Sequence, residues 1–189
     1  MSKRDNLFLV GLMGAGKTTV GRLLAKHYGC NFYDSDHEIE GRTGVKIPVI
    51  FEIEGEAGFR KREETVITEL TALSGIVLAT GGGAVLSAAN REHLRKNGVV
   101  IYLCGTPEHL HERTRHDRNR PLLQTGNPLA KLRELYGQRD PLYREVADIV
   151  VDTGRQSVSG MTRALFARLD QLRSGLPQDE SVKTAATKP

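Results

Sequence analysis

Leu7-Phe8-Leu9-Val10-Gly11-Leu12-Met13-Gly14-Ala15-Gly16-Lys17-Thr18 is the stretch that decides the fold. Four apolar residues broken at once by glycine read as a strand buried on both faces that feeds a tight turn. From Gly11 to Thr18 the spacing is G-x-x-x-x-G-K-[ST], the phosphate-binding loop, with the strand before it and the helix after it that this motif requires. Glycines let backbone N–H groups turn inward around phosphate oxygens, and the following helix N-terminus adds a favourable dipole. Lys17 is placed to reach the β- and γ-phosphates, and the Thr18 hydroxyl to take a position on Mg²⁺. A dinucleotide fingerprint is the rival reading, but neither Gly14-Ala15-Gly16 nor Gly81-Gly82-Gly83 completes G-x-G-x-x-G.

Outward from this loop, strands and helices alternate. Val20, Leu23 and Leu24 fall at helical spacing up to a C-capping Gly29, and Asn31-Phe32-Tyr33 is a short strand that stops at Asp34-Ser35-Asp36. Helical stretches are predicted from Ile47 to Ile53 and from Glu56 to Leu73. A third strand, Ile76-Val77-Leu78-Ala79, runs into Thr80-Gly81-Gly82-Gly83. Asn90 to Lys96 is helical, and Val99 to Leu103 is the clearest strand. Thr106-Pro107-Glu108 carries an N-cap, proline at the first helical position and acid in the first turn. Residues 115–127 show no periodicity and predict a mobile loop. Leu129 to Val146 predicts a helix interrupted at Pro141. A last strand follows at Asp148 to Val151, then an amphipathic helix marked by Val158, Met161, Leu165, Leu169 and Leu172. From Ser174 the chain is polar, which predicts a disordered tail over 174–189 behind one domain spanning 1–173.

Short apolar strands alternating with helices mean an α/β fold, a parallel sheet covered on both faces. Ligands bind such sheets at the carboxyl ends of the strands. The clusters at 11–18, 34–36 and 80–83 all follow strands, so topology gathers them at one edge.

At 189 residues one hydrophobic core is expected. No apolar run approaches the roughly 20 residues of a membrane helix, and the N-terminal apolar run breaks too early for a secretory signal. Cys30 and Cys104 are too few for a disulfide scaffold and lack metal-ligand spacing; both read as small buried hydrophobes in a reduced, cytoplasmic protein. The net charge of +4 is small, and aromatics at 5% give no interleaved basic stripe, so no nucleic-acid partner is expected. His109 and His111 are two apart on a helix and make a poor metal pair.

Beside a phosphate loop, Asp34 and Asp36 suit metal positioning and hydroxyl activation, although Asp and Ser also cap helices, and Ser35 is a candidate for that role. Three successive glycines at 81–83 allow close backbone approach to a ligand. Arginines at 113, 115, 118 and 120 flank or lie in the aperiodic segment, which fits a lid over about 113–125 that carries an arginine to the phosphates. These residues support a Mg²⁺–ATP phosphotransferase whose acceptor site has carboxylates for hydroxyls and arginines for an anion.

Gly11-Leu12-Met13-Gly14-Ala15-Gly16-Lys17-Thr18-Thr19, Asp34-Ser35-Asp36, Gly58-Phe59-Arg60, Gly81-Gly82-Gly83, Arg120-Pro121-Leu122 and Arg139 together resemble the shikimate kinase family, in its order and spacing from about residue 6 to 170. The resemblance implies the nucleoside-monophosphate-kinase fold, a five-stranded parallel sheet in order 2-3-1-4-5 flanked by helices, with a lid and a substrate-binding helical region. It implies transfer of the ATP γ-phosphoryl to the 3-hydroxyl of shikimate, on the route to chorismate and the aromatic amino acids. Carried across by position, Gly14, Ala15, Gly16, Lys17, Thr18 and Thr19 hold the nucleotide, and Thr18 and Asp34 serve Mg²⁺. Asp36 binds shikimate hydroxyls and is the base. Arg60 and Arg139 clamp the carboxylate, with Gly82 and Gly83 adding N–H groups. Lys17, Asp36 and Arg120 are the catalytic set, Arg113 packs on adenine, and Gln156 joins the adenine loop. Nothing in the sequence resembles a coiled coil, and a monomer is expected. Gluconate kinase is the alternative within the class, disfavoured by the 34–36 and 81–83 clusters; a nucleotide-dependent switch or binding module is the alternative outside it.

Overall fold

A computed structural model describes residues 5–115, 121–154 and 158–174. Five strands form one parallel sheet in the order β2-β3-β1-β4-β5: β1 (Leu7–Val10), β2 (Asn31–Asp34), β3 (Ile76–Ala79), β4 (Val99–Cys104) and β5 (Ile149–Asp152). In register, β1 stands between β3 and β4, with Leu7 opposite both Val77 and Val99. The three inner strands are almost wholly buried, whereas the edge strands β2 and β5 are only partly so. That gradient explains why the inner strands carry unbroken apolar runs and β2 does not.

The helices are α1 (Lys17–Tyr28), α2 (Ser35–Thr43), α3 (Ile47–Thr71), α4 (Ala88–Asn97), α5 (Pro107–Thr114), α6 (Pro128–Val146) and α7 (Val158–Ser174), with short 3₁₀ turns at Ala84–Leu86 and Pro121–Leu123. Because parallel crossovers are right-handed, the step from β1 to β2 and the opposite step from β3 to β4 place α1 and α4 on opposite faces. Packing agrees: α1 meets α7, where His27 and Phe166 stack at 3.9 Å, while α4 lies against α6. No helix among the described residues is long and apolar enough to cross a membrane.

Five details differ from the sequence reading. A helix, α2, fills 35–43, where only Ser35 and Ile39 are buried and no apolar period announces it. The predicted break between 53 and 56 is a kink within α3, at Gly55, whose φ of 68° suits glycine. Helix α6 runs through Pro141, because Leu135, Arg139, Tyr143 and Val146 hold both halves to one buried face. Residues 121–127 are not wholly irregular, since Pro121–Leu123 form a turn; residues 116–120 of the expected lid lie outside the described residues, as does the tail from 175. Cys30 and Cys104 are free thiols, half-buried rather than fully buried.

Away from the carboxyl edge, one side chain ties the sheet together. Asn6 donates to the carbonyls of Leu73 (2.7 Å) and Asn97 (3.0 Å) and accepts from the Ile76 N–H (3.1 Å), joining the entry to β1, the entry to β3 and the exit from α4. It is 6% exposed, and the bond it accepts from the Ile76 N–H is buried, so that donor has no solvent to turn to. Asn6→Ala should lower the unfolding free energy by about 1–3 kcal/mol, the cost of stranding a buried donor, as measured by urea denaturation; an unchanged midpoint and slope would refute this anchor.

Candidate active site

At the carboxyl edge the chain after β1 turns through Gly14 and Gly16, both at positive φ (80° and 91°), and enters α1. Lys17 Nζ donates to the carbonyls of Gly11 (2.7 Å) and Leu12 (3.0 Å), which places the ammonium across the loop. Thr18 Oγ1 donates to Asp34 Oδ2 at 2.8 Å. Asp34 Oδ1 accepts from the N–H groups of Asp36 (3.1 Å) and His37 (3.4 Å), so Asp34 caps α2. The cap is therefore Asp34 and not Ser35, whose Oγ accepts from the Gly81 N–H at 2.9 Å. One carboxylate fixes α2 with one oxygen and reaches the phosphate loop with the other. Gly14, Gly16, Lys17, Thr18, Thr19, Asp34 and Arg113 line a large cavity here, and Arg113 Nη1 reaches the Gly14 carbonyl at 3.4 Å.

A second cavity adjoins it, walled by Met13, Phe51, Phe59 and Leu122 and polar at Arg60, Glu63 and Arg139. Asp36, Ile47 and Gly82 line both cavities, so they stand where the two meet. Arg60 is held from its own helix: Glu56 accepts from Nε (3.2 Å) and Nη2 (2.8 Å), and Glu63 from Nη1 (2.7 Å). Arg139 is 3% exposed, yet its Nε and Nη1 have no hydrogen-bond partner among the described residues. A buried guanidinium with free donors is costly unless an anion completes it.

The glycine turn makes room for this charge. A Cβ on Gly81 would meet Glu63 Oε1 and, at 2.7 Å, Asp36 Oδ1; one on Gly83 would collide with the Arg60 guanidinium. Neither the Gly82 nor the Gly83 N–H has a partner among the described residues. Burial pushes the Glu63 carboxyl up to about 7, with the Asp36 charge adding to the rise and Arg60 and Arg139 opposing it. Burial also works against the Arg60 charge, but Glu63 and Glu56 more than offset it and hold its pKa above the ordinary value.

Residues 13–170 match the family profile described as shikimate kinase. The chain belongs to the shikimate kinase family. The shikimate kinase of Thiobacillus denitrificans is 84% identical over 173 residues, covering 92% of this chain and 94% of that one. That of Nitrosococcus oceani is 60% identical, covering 93% of each. Among solved structures, the shikimate kinase from Acinetobacter baumannii in complex with shikimate superposes with a TM-score of 0.81 at 54% identity, covering 90% of this chain and 93% of that one. A gluconokinase from Sinorhizobium meliloti, at 18% identity and a TM-score of 0.60 over 93% of this chain and 97% of that one, shares the fold alone.

Family membership makes the chain an ATP-using kinase, and the 2-3-1-4-5 sheet is the fold the resemblance implied. Of the residues singled out by sequence, Gly14, Gly16, Lys17, Thr18, Thr19, Asp34 and Arg113 gather at the larger cavity. Arg60, Gly83 and Arg139 gather at the smaller one, and Asp36 and Gly82 at the junction. Ala15 is buried in the loop and lines neither. Arg120 and Gln156 lie outside the described residues. Sequence reasoning passed over Glu56, Glu63 and Tyr143. The acids had a signal, since they stand four before and three after Arg60 on one helix face.

Glu63 gives stability a defined pH dependence. The folded chain keeps the Glu63 proton up to about pH 7, whereas the unfolded chain releases it near the ordinary value of 4.5. The stabilising contribution is therefore full below 4.5 and is lost as pH rises through 7, a change on the order of 3 kcal/mol. Glu63→Gln cannot titrate, so unfolding free energies of the ligand-free protein measured from pH 4.5 to 8 should show wild type losing ground to the variant. Parallel curves would contradict the raised pKa.

Proposed function

We propose that the family's reaction, transfer of the ATP γ-phosphoryl to the 3-hydroxyl of shikimate, takes place where the two cavities meet. The observation that carries this reading is Arg139: a buried cation with two free donors, beside Arg60, in a cavity that opens at Asp36 onto the phosphate loop. The pair suits a carboxylate, which a planar guanidinium can bind by two parallel hydrogen bonds. Gly82 and Gly83 add N–H donors at the same wall.

In the larger cavity the loop backbone and Lys17 hold the phosphates, with Lys17 exchanging its carbonyl contacts for phosphate oxygens as charge grows on the transferring group. Arg113 stands at the nucleotide side of this cavity. Asp36, at the junction, accepts hydrogen bonds from the acceptor hydroxyls and takes the proton from the attacking one. Arg120 and Gln156 keep the lid and adenine roles that the resemblance implies. The all-oxygen pair of Thr18 hydroxyl and Asp34 carboxylate fits Mg²⁺, a hard cation that keeps waters and takes few protein ligands. Bound there, the ion would neutralise phosphate charge; Thr18 would ligate it and Asp34 would orient its water shell. We take a monomer as the working unit.

A coupled ADP-release assay across shikimate, gluconate and nucleoside monophosphates should show turnover with shikimate alone. ADP release that ignores the acceptor would favour a switch, and release with gluconate would favour the other kinase. Arg139→Lys keeps the charge but loses the fork, so shikimate KM should rise at least tenfold while ATP KM stays put; equal affinities would place the carboxylate elsewhere. Asp34→Asn should chiefly raise the Mg²⁺ concentration needed for half-maximal rate, whereas Asp36→Asn should depress turnover at saturating metal. Superimposable metal titrations for the two variants would contradict this division of labour.

A further inference from the structure

The glycines at 81–83 solve one problem and create another. They clear space for Glu63, Asp36 and Arg60, but a peptide between two glycines has little steric resistance to rotation. A site that uses the Gly83 N–H as a donor must hold the Gly82–Gly83 peptide plane in place. The structure supplies one hydroxyl for this: Tyr143 Oη donates to the Gly82 carbonyl. The described chain contains no cis peptide bond, so the C=O and N–H of this unit point opposite ways. Fixing the Gly82 oxygen against Tyr143 therefore fixes the plane that carries the Gly83 N–H, and Gly83 lines the smaller cavity.

Tyr143 is itself held. It is 1% exposed, and its ring stacks on Tyr102 at 4.9 Å and 29°, while the Tyr102 hydroxyl donates to Asp140 Oδ1 at 2.7 Å. Burial raises the Tyr143 phenol above its ordinary pKa, so it remains a donor at neutral pH. Tyr143 also follows Arg139 by four residues, which puts both on one face of α6.

We infer that Tyr143 is a positioning residue for shikimate: by anchoring the Gly82 carbonyl it presents the Gly83 N–H to the substrate carboxylate beside Arg139. The inference rests on the reading of the smaller cavity as the carboxylate site. It acts through preorganisation, since an N–H that is already aimed need not be ordered by the ligand.

Tyr143→Phe removes the hydroxyl and keeps the ring. Shikimate KM should rise about tenfold, with kcat within threefold and ATP KM unchanged, the pattern of lost ground-state binding. A general loss of order would move both KM values together, whereas loss of the hydrogen bond between Tyr143 and Arg139 would raise shikimate KM and leave the ligand-free Gly83 amide resonance of Tyr143→Phe at its wild-type position; either result, or a shikimate KM within twofold of wild type, would overturn the inference. Arg139→Lys separates the two failures. If it raises shikimate KM while Tyr143→Phe does not, the positioning role alone falls; if neither does, the carboxylate reading falls and takes the inference with it. Wild-type protein labelled with ¹⁵N-glycine gives a readout independent of the variant's folding. Saturating shikimate should shift the Gly83 amide resonance downfield, and an unmoved resonance would count against the proposal.

Discussion

Parallel strands cannot be joined by a hairpin, so every connection in this sheet must travel back over a face before the next strand begins. That constraint decides where chemistry can sit. Each strand ends at the same edge, and whatever follows a strand is delivered there: the phosphate loop after β1, Asp34 at the close of β2, the glycine turn after β3. The strand order places β1 between β3 and β4, so the phosphate loop and the glycine turn are neighbours although some 65 residues of sequence separate Gly16 from Gly81. At the far edge Asn6 joins the same strands, so the spacing of the two loops is set from both ends of β1 and β3.

At the carboxyl edge the sheet carries a charge arrangement that does not stabilise the fold for its own sake. Glu63 is almost fully buried and retains an unpartnered oxygen, and Arg139 retains two unpartnered nitrogens. Breaking one partner from such a cluster is expected to be far more damaging than its net contribution to stability suggests. The raised Glu63 pKa expresses the same tension, because desolvation outweighs the neighbouring guanidinium. Strain of this kind is what a preorganised anion site requires: the desolvation is met during folding, and the ligand meets donors that are already aimed.

What the sequence made legible follows from how each signal is encoded. The inner strands were plain because burial on both faces demands continuous apolar runs, and the phosphate loop was plain because it must combine glycines, Lys17 and Thr18 at fixed spacing. Helix α2 was not legible: Ser35–Thr43 buries two residues and is held by the Asp34 cap and its contacts with α3 rather than by an apolar stripe. Pro141 suggested a break because local propensity disfavours it, yet the buried face of α6 overrides that preference. Glu63 and Tyr143 escaped notice for a related reason. An acid three residues from an arginine ordinarily marks a solvated helix face, and a tyrosine at core spacing ordinarily marks packing; only the tertiary fold shows that both face the glycine turn.

With the acceptor in the smaller cavity, as proposed, the cavity walls would separate acceptors that share an anionic end. Two guanidinium groups would attract any carboxylate, so charge cannot by itself tell a ring acid from an open-chain one. Met13, Phe51, Phe59 and Leu122 add apolar surface that offers no hydrogen bond. A carbocyclic acid can lay a ring against such surface and direct its hydroxyls to Asp36, where the cavities join. An open-chain polyol carries a hydroxyl on nearly every carbon, and some of them would be desolvated against phenyl rings without a partner, each at a cost of roughly 1–3 kcal/mol. The gluconokinase that shares this fold at 18% identity shows that the sheet and its edge do not dictate the acceptor. On the proposed reading, selection would come from joining charged to apolar walls: the charges would admit the anion, and the apolar walls would reject the acceptor whose hydroxyls they cannot satisfy.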